Sequence, residues 1–409
     1  MSQPAETPES PFFDPAFQDD PYPAIDRLRS EEPVHWVPNL GFWFLTRHDD
    51  VKRFYNDPDY ATPDRRAWEN YVAPEEGSFM RWVSDNGLFA LPPAEHARVR
   101  KLVSASLTPR AVARMEDQVL EVIDRFAQPL FGRRGVVDLH AEFTDPIPNT
   151  VISRITGIPP AGDDEVRFRQ LAQDTIRGFF QFVDPSLQKK GEDAFVELSS
   201  WVRELAKDRR DAPREDMISD LVQATDLDDQ LRTEEIVMLV SGLISAGSET
   251  TSIGGLIALR TLFDHPEAMS KLRDDRSLLP NAINEILRFG FGGPGGLPRY
   301  AVRDFELRGV QIRKGQMLML SFGGASRDPA IYDDPHVFDI ERDSRELLVF
   351  GNGPHYCLGA NLARQELRCM LDAALEFLPE AACYREDHQE YEQMAMFRRP
   401  VNLPVDFGD

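Results

Sequence analysis

The central part of the chain has hydrophobic and polar positions that repeat with the period of an α-helix. Apolar residues recur three and four positions apart between residues 96 and 272. The longest predicted helix covers residues 233 to about 263, with Thr233 as its N-cap and Pro266 just beyond its end. Gly247 lies inside this helix, which indicates that another group approaches the backbone closely there.

Shorter patterns flank this helical region. We predict helices at 22–29, at about 49–55 and at about 358–378, and strands at 34–37, 42–46, 305–307 and 317–321. Residues 57–91 lack a clear period but are rich in aromatic residues, so we expect an irregular segment that packs on the body or lines a pocket. The pattern predicts a mainly α fold with small β-sheets (α+β). We expect a flexible N-terminal segment at 1–18 and a single domain at 19–409.

Charge and composition exclude several classes of protein. The 409 residues include 46 Lys and Arg against 69 Asp and Glu, a net charge of −23. This acidity argues against nucleic acid or an anionic membrane as the main partner. Three cysteines make a poor disulfide framework, and the polar N-terminus does not resemble a secretory signal. No run in the sequence approaches the eighteen or so apolar residues that would span a bilayer, so we expect a cytoplasmic protein without a membrane anchor.

The strongest chemical signal is the segment 350–359, Phe-Gly-Asn-Gly-Pro-His-Tyr-Cys-Leu-Gly. Gly351 and Gly353 bend the chain just before Cys357, which we expect to open a helix. Backbone N–H groups at a helix start lower the pKa of a thiol and favour an anionic ligand. No second Cys or His lies at zinc-like spacing. On these residues alone, a buried inert cysteine stays an equal alternative.

The complete segment resembles the haem-binding loop of the cytochrome P-450 family, the haem-thiolate monooxygenases, and in particular its soluble bacterial members. The resemblance implies the P-450 fold, with a long central helix over haem b (iron protoporphyrin IX). It implies that Cys357 is the iron ligand, that Phe350 shields its sulfur, and that His355 binds a haem propionate. A thiolate ligand supplies electron density that favours cleavage of the O–O bond.

Other positions also resemble family motifs. His96 and Arg100, four residues apart on one predicted helix, resemble the family's propionate-binding pair, and Arg299 resembles its propionate-binding arginine. Four donors, counting His355, suit two partly buried carboxylates. Glu285 and Arg288 resemble the family's E-x-x-R, which implies a structural lock behind the haem. Taken alone, such a pair is equally typical of a solvated helix face.

The segment 246–251, Ala-Gly-Ser-Glu-Thr-Thr, resembles the family motif that shapes a groove for dioxygen. The resemblance implies that Ala246 and Gly247 border the haem, and that Glu249 and Thr250 deliver protons as catalytic residues. Dioxygen is then a co-substrate. The electrons come indirectly from NAD(P)H, through a ferredoxin and its reductase, because no flavin or iron–sulfur module fits in the chain. Without Cys357, a packing glycine beside a solvated glutamate would be the preferred interpretation of these residues.

Basic residues near the thiolate side would offer an acidic ferredoxin a docking patch: Arg98, Lys101, Arg364 and Arg368. Each of them could equally belong to an ordinary solvated helix face.

The substrate implied is a hydrophobic small molecule, such as a steroid, terpenoid, fatty acid or aromatic metabolite. The predicted pocket includes Phe89, Phe179, Leu243, Leu297 and Met396. The predicted reaction is hydroxylation or epoxidation of this molecule. Two alternatives stay open at this point: a haem-binding sensor or carrier without turnover, and an interaction protein whose cysteine is structural.

Overall fold

Helices form most of the protein. The computed structural model describes residue 12 and residues 14–158, 163–179, 184–226, 229–291, 295–393 and 398–408. Its helices are α1 (Pro15–Asp19), α2 (Tyr22–Glu31), α3 (His48–Asn56), α4 (Phe79–Asn86), α5 (Pro93–Ser104), α6 (Pro109–Arg114), α7 (Glu116–Ala127), α8 (Pro146–Thr156), α9 (Asp163–Phe179), α10 (Pro185–Asp211), α11 (Met217–Gln223), α12 (Thr233–Asp264), α13 (Pro266–Asp274), α14 (Leu279–Phe289), α15 (Phe322–Ser326) and α16 (Ala360–Phe377).

Short strands form small sheets beside the helices. The strands are β1 (Val34–Val37), β2 (Phe42–Leu45), β3 (Ala61–Thr62), β4 (Val136–Asp138), β5 (Thr225–Asp226), β6 (Asp229–Gln230), β7 (Gly296–Ala301), β8 (Phe305–Leu307), β9 (Val310–Ile312), β10 (Met317–Ser321), β11 (Cys383–Tyr384), β12 (Tyr391–Gln393), β13 (Arg398–Pro400) and β14 (Pro404–Asp406). The largest sheet has the order β1-β2-β10-β7-β3, with β2 and β10 parallel. In this sheet Leu318 of β10 pairs with both Trp43 and Arg299.

Helix α12 is the central element of the helical part. It packs against α8, α9, α10 and α16, and most of its side chains are buried. The predicted helix is confirmed, but its predicted N-cap is wrong. Arg232 is the N-cap, and its backbone N–H donates to the Glu235 carboxylate at 2.7 Å. A carboxylate at the third helical position completes a capping box, so Thr233 is instead the first helical residue.

The expectation about apolar runs also needs correction. Helix α12 is long and apolar enough to cross a bilayer by length and composition, with a mean hydropathy of 1.4 in its most apolar window. However, 67% of that window is buried inside the protein. The core helix of a globular fold has the same composition, because it is apolar on nearly every side.

Most of the shorter predicted elements are confirmed in type and position, and two need correction. The segment 57–91 is not irregular throughout, since it contains β3, a 3₁₀ turn and helix α4. Helix α4 begins where the Ser78 hydroxyl accepts a hydrogen bond from the Arg81 N–H. The terminal helix begins at Ala360 and not at residue 358.

Two aromatic residues anchor the described start of the chain. Phe12 and Phe17 are buried, and the Phe12 ring lies 4.8 Å from Phe44 of β2, centre to centre. This contact joins Phe12 to the largest sheet. The predicted domain boundary at residue 19 stays a prediction.

Candidate active site

Two glycines shape the loop that carries Cys357. Gly351 and Gly353 have φ angles of +73° and +69°, which favour glycine strongly. A Cβ on Gly353 would lie 2.3 Å from the Asn56 side-chain oxygen, so a larger residue would displace Asn56 as well as strain the backbone. The Cys357 N–H donates to the Phe350 carbonyl at 2.8 Å and closes the loop. Helix α16 begins at Ala360, three residues after Cys357. The prediction that Cys357 opens this helix is therefore wrong.

The Cys357 thiol lies in a concavity of the protein. The residue has accessible surface, yet enough protein surrounds it that burial raises the pKa of the thiol above its ordinary value. The backbone N–H groups of Gly359 and Ala360 and the charges of Arg100 and Arg364 oppose this effect and favour the thiolate. An accessible sulfur among N–H donors and guanidinium groups is suited to bind a metal cation as an anion.

Arg364 packs directly on the loop. Its guanidinium carbon lies 4.3 Å from the centre of the Phe350 ring. It also donates to the Tyr356 hydroxyl at 3.2 Å and to the Asn284 side-chain oxygen at 2.9 Å. These contacts join the loop to α14 and α16.

Two histidines from separate elements meet next to this loop. His96 of α5 and His355 have ring centres 4.2 Å apart. Within the part of the chain that the structure describes, His96 Nε2 and His355 Nδ1 are buried without a hydrogen-bond partner. Buried polar atoms in native proteins nearly always have a partner, so these two nitrogens indicate a ligand.

Two arginines complete a basic cluster. Arg299 of β7 is only 3% exposed, and its guanidinium lies 4.8 Å from the centre of the Tyr55 ring. Burial lowers the pKa of Arg299, and it lowers the pKa of His355 to about 3. The charges of His96, Arg299 and Arg100 depress the pKa of His355 further.

This concentration of buried bases calls for an anionic ligand. Haem b brings two propionates and an iron that accepts a thiolate, so the residues present fit this group. His96, Arg100, Arg299 and His355 would hold the propionates, and Cys357 would hold the iron.

The other predicted side of the site lies on α12. Ala246 and Thr250 are exposed although their helix is largely buried, so this face borders a concavity. A Cβ on Gly242, one turn earlier on this face, would meet no atom within 4 Å. The Thr250 hydroxyl donates to the Ala246 carbonyl, a bond that competes with the helix ladder. Gly247, between them, is partly exposed.

Glu249 points away from the Thr250 face, into the protein. Its side chain is 10% exposed, and the Nε of Arg177 in α9 donates to it at 3.3 Å. The Arg177 side chain itself is 41% exposed. Glu249 is therefore positioned between solvent and the helix segment that carries Thr250.

Glu285 and Arg288 form a pair that is entirely buried. Both are 0% exposed, and they are joined at 2.6 and 2.7 Å. Arg288 also donates to the carbonyls of Ser326 and Pro335, at 2.9 and 2.8 Å. Glu285 accepts the N–H of Asp339 at 3.0 Å. A solvated helix pair does not describe this geometry, because the pair ties α14 to the segment before the Cys357 loop.

Among the described residues, those predicted to contact substrate are all at least partly exposed. Phe89 is 44% exposed, and its ring lies 5.6 Å from His355, centre to centre. Leu243 and Leu297 are half-buried. Phe179 is 54% exposed at the end of α9. Met396 lies outside the described residues.

The predicted basic docking patch is largely neutralised by acidic partners. Arg98 pairs with Glu95 and Glu235, and Arg368 pairs with Glu116. Lys101 is exposed on α5. Arg98 and Arg368 therefore contribute less positive charge to the predicted docking patch than their sequence positions suggest.

Sequence reasoning missed three residues of the region. Arg177 contacts Glu249, which is 72 positions away in the sequence, and Tyr55 stacks under Arg299. Glu366 is buried in α16, and burial raises its pKa well above the ordinary range. No local pattern marks the first two. Glu366 could have been found, since it falls among the apolar positions of a predicted helix.

Comparisons with known proteins agree with this geometry. Residues 36–400 match the family model described as Cytochrome P450. The chain is 33% identical to epothilone C/D epoxidase of Sorangium cellulosum, over 90% of this chain and 88% of that protein. It is 33% identical to mycinamicin IV hydroxylase/epoxidase of Micromonospora griseorubida, over 92% and 93% of the two chains.

The fold agrees as well. The crystal structure of epothilone D-bound cytochrome P450epoK superposes with a TM-score of 0.86 at 30% identity, covering 97% of this chain and 98% of that one. The helix over the site, the cysteine loop and the relatives thus lead to one conclusion. The chain belongs to the cytochrome P450 family and is a haem-dependent monooxygenase that uses dioxygen and electrons from NAD(P)H delivered by redox partners.

Proposed function

We propose that Cys357 holds the haem iron of this monooxygenase and that His96, Arg100, Arg299 and His355 bind the propionates. The observation that carries this proposal is the cluster of buried and half-buried bases beside an accessible thiol, with two nitrogens that have no hydrogen-bond partner among the described residues. Haem, when bound, supplies the oxygen-activating chemistry. In this proposal, Phe350 shields the Cys357 sulfur on the side of the loop. Ala246 and Gly247 leave space for the haem along α12.

Glu249 and Thr250 are proposed to supply protons on the α12 side. Glu249 reaches toward solvent through Arg177, and Thr250 lies on the exposed face of the same helix. A carboxylate that exchanges protons with solvent and a hydroxyl that relays them act together as a general acid.

The substrate is proposed to be a large, mostly apolar small molecule. The half-exposed Phe89, Leu243 and Leu297 provide apolar surface. Relatives are named for epothilone, mycinamicin IV and vitamin D(3), which favours ring-containing metabolites of that size.

A ligand panel tests the substrate class. Purified holoprotein is titrated with macrolides, steroids and long-chain fatty acids, and the low- to high-spin shift of the haem spectrum is recorded. We expect the shift with a macrolide or a compound of similar size, because such a ligand displaces water from the iron. A shift with fatty acids alone would contradict the proposed class.

The electron donor is proposed to be a ferredoxin with its reductase. The protein is proposed to lie in the cytoplasm, where NAD(P)H is available. Lys101 on the exposed side of α5 supports a charged docking contact.

A further inference from the structure

Arg364 combines four contacts in a small volume. Its guanidinium stacks at 4.3 Å on the Phe350 ring and donates to Asn284 at 2.9 Å, to the Tyr356 hydroxyl at 3.2 Å and to the Ala360 carbonyl at 3.4 Å. Two of these partners, Phe350 and Tyr356, belong to the Cys357 loop. The side chain is half-buried, so its position is fixed by packing as well as by hydrogen bonds.

Each of these partners is neutral. Among the described residues, no carboxylate pairs with Arg364, although the chain has 69 acidic residues. Arg368, one turn further along α16, shows the contrast, because Glu116 pairs with it. Asn284 occupies the place where an aspartate would neutralise the charge of Arg364.

A fixed, half-buried positive charge acts strongly on its surroundings, since the local dielectric constant is lower than that of water. Arg364 stacks on Phe350, and the Phe350 carbonyl accepts the Cys357 N–H at 2.8 Å, so this charge lies against the loop that carries the sulfur. Taking up one electron adds a negative charge to an iron–thiolate centre, and a nearby cation stabilises that reduced form. Charge and hydrogen bonding around the ligand sulfur are known means of tuning such a centre.

We propose that Arg364 is a positioning residue that favours one-electron reduction of the iron held by Cys357, by holding an uncompensated positive charge over Phe350. This inference rests on the proposed role of Cys357. The electron comes from the redox partner, and the step forms and breaks no bond.

The test is an equilibrium reduction of the holoprotein against a reference dye. For Arg364→Gln we expect a threefold to tenfold smaller equilibrium constant for one-electron reduction, where tenfold corresponds to 59 mV. The double substitution Arg368→Gln with Glu116→Gln is the matched control, and we expect it to equal the wild type, because it removes a cation together with the carboxylate that compensates it. Arg364→Lys keeps the charge and should lie closer to the wild type than to Arg364→Gln.

Asn284→Asp provides a second test that leaves Arg364 in place. The substitution is isosteric and sets a carboxylate about 2.9 Å from the guanidinium, so it should lower the reduction constant in the same direction. Asn284→Asp is the deciding variant for the role of Arg364 if Arg364→Gln does not take up haem. Wild-type reduction constants in Asn284→Asp, or in Arg364→Gln when it folds, would overturn the inference.

The carbon monoxide spectrum separates this inference from the proposed function. A thiolate-type band together with an unchanged reduction constant contradicts only the role of Arg364. Absence of that band in the wild type contradicts both proposals.

Discussion

Thr250 is a small residue whose proposed role depends on its hydroxyl. The hydroxyl donates to the Ala246 carbonyl, and the residue is exposed on an otherwise buried helix. Such exposure is expected of a residue that faces a ligand rather than a neighbouring helix. Glu249, by contrast, owes its position to Arg177, a partner on another helix.

Thr250→Ala is expected to uncouple electron use from product formation. Loss of the relay should lower product formation by roughly 10²-fold, the lower range for general acid catalysis. NAD(P)H consumption should continue and release hydrogen peroxide instead. Peroxide and product are measured per NAD(P)H consumed, with Thr251→Ala as the control from the buried side of the same turn. Tightly coupled turnover in Thr250→Ala would refute the assignment.

Glu366 makes stability depend on pH. Burial raises its pKa well above the ordinary range, so the folded state holds a proton that the unfolded chain releases near the ordinary glutamate pKa of about 4.5. Above that pH, and up to the raised pKa of Glu366, the folded protein binds more protons than the unfolded chain. The free energy of unfolding therefore falls as the pH rises through this range.

Glu366→Gln should remove this dependence, so its melting temperature relative to the wild type should be higher at pH 8 than at pH 5. The holoproteins are compared by thermal unfolding. Glu376→Gln, exposed on the same helix, is the control and should not change the slope. An equal difference at both pH values would show that Glu366 does not titrate with folding.

At the scale of elements, buried pairs hold the site's supports in place. The Glu285–Arg288 pair connects α14 to the backbone at Ser326, Pro335 and Asp339. Glu285 and Arg288 together make eight hydrogen bonds in the interior, so the pair acts as a junction between α14 and the approach to the Cys357 loop. Removing one charge leaves the other buried and uncompensated.

Glu285→Gln should therefore destabilise the protein by about 3–5 kcal/mol, the usual cost of breaking a buried pair. Asp193→Asn, which disrupts an exposed pair with Lys189, should cost no more than about 0.5 kcal/mol. Both are measured by chemical unfolding of the holoprotein. Equal small losses in the two variants would show that the buried pair does not support the fold.

The elements also show what sequence reasoning can predict. Helix α12 and the strands β1, β2, β8 and β10 were predicted from the spacing and the runs of their apolar residues, because burial selects apolar side chains at these positions. Helix α4 was missed although its apolar residues lie on one face, because it has only eight residues and none of its side chains is buried. The N-cap was misplaced because Arg232 caps through its partner Glu235, three residues ahead, whereas Thr233 is the residue that composition favours.

The same limit applies to the site. Cys357, the glycines and the motif residues lie in short local strings, so the sequence predicted them. Arg177, Tyr55 and Asn284 act across more than 70 positions, and only the fold brings them to Glu249, Arg299 and Arg364. The neutralisation of Arg98 and Arg368 is likewise a property of tertiary pairing.

At the scale of the whole molecule, a net charge of −23 opposes an acidic electron donor, so any docking must use a local positive region. Pairing with acids removes Arg98 and Arg368 from that region. Lys101 is exposed on α5 within the predicted patch, so its contribution to docking can be tested by substitution.

Lys101→Glu should raise the KM for an acidic ferredoxin severalfold, with a weaker dependence on salt than in the wild type. Lys207→Glu makes the same change of charge on α10 and should leave the KM unaltered. Ferredoxin-driven reduction is followed at several salt concentrations. An equal effect of both substitutions would mean that total charge matters and the predicted patch does not.

The most direct test of the central claim is the carbon monoxide difference spectrum of the reduced protein, for the wild type and for Cys357→Ser. A cysteine thiolate on the iron predicts, for the wild type, the red-shifted Soret band that gives the family its name, and its loss in Cys357→Ser. A wild-type band at the shorter wavelength typical of a neutral ligand, or a thiolate band that persists in Cys357→Ser, would contradict the assignment of Cys357 as the iron ligand.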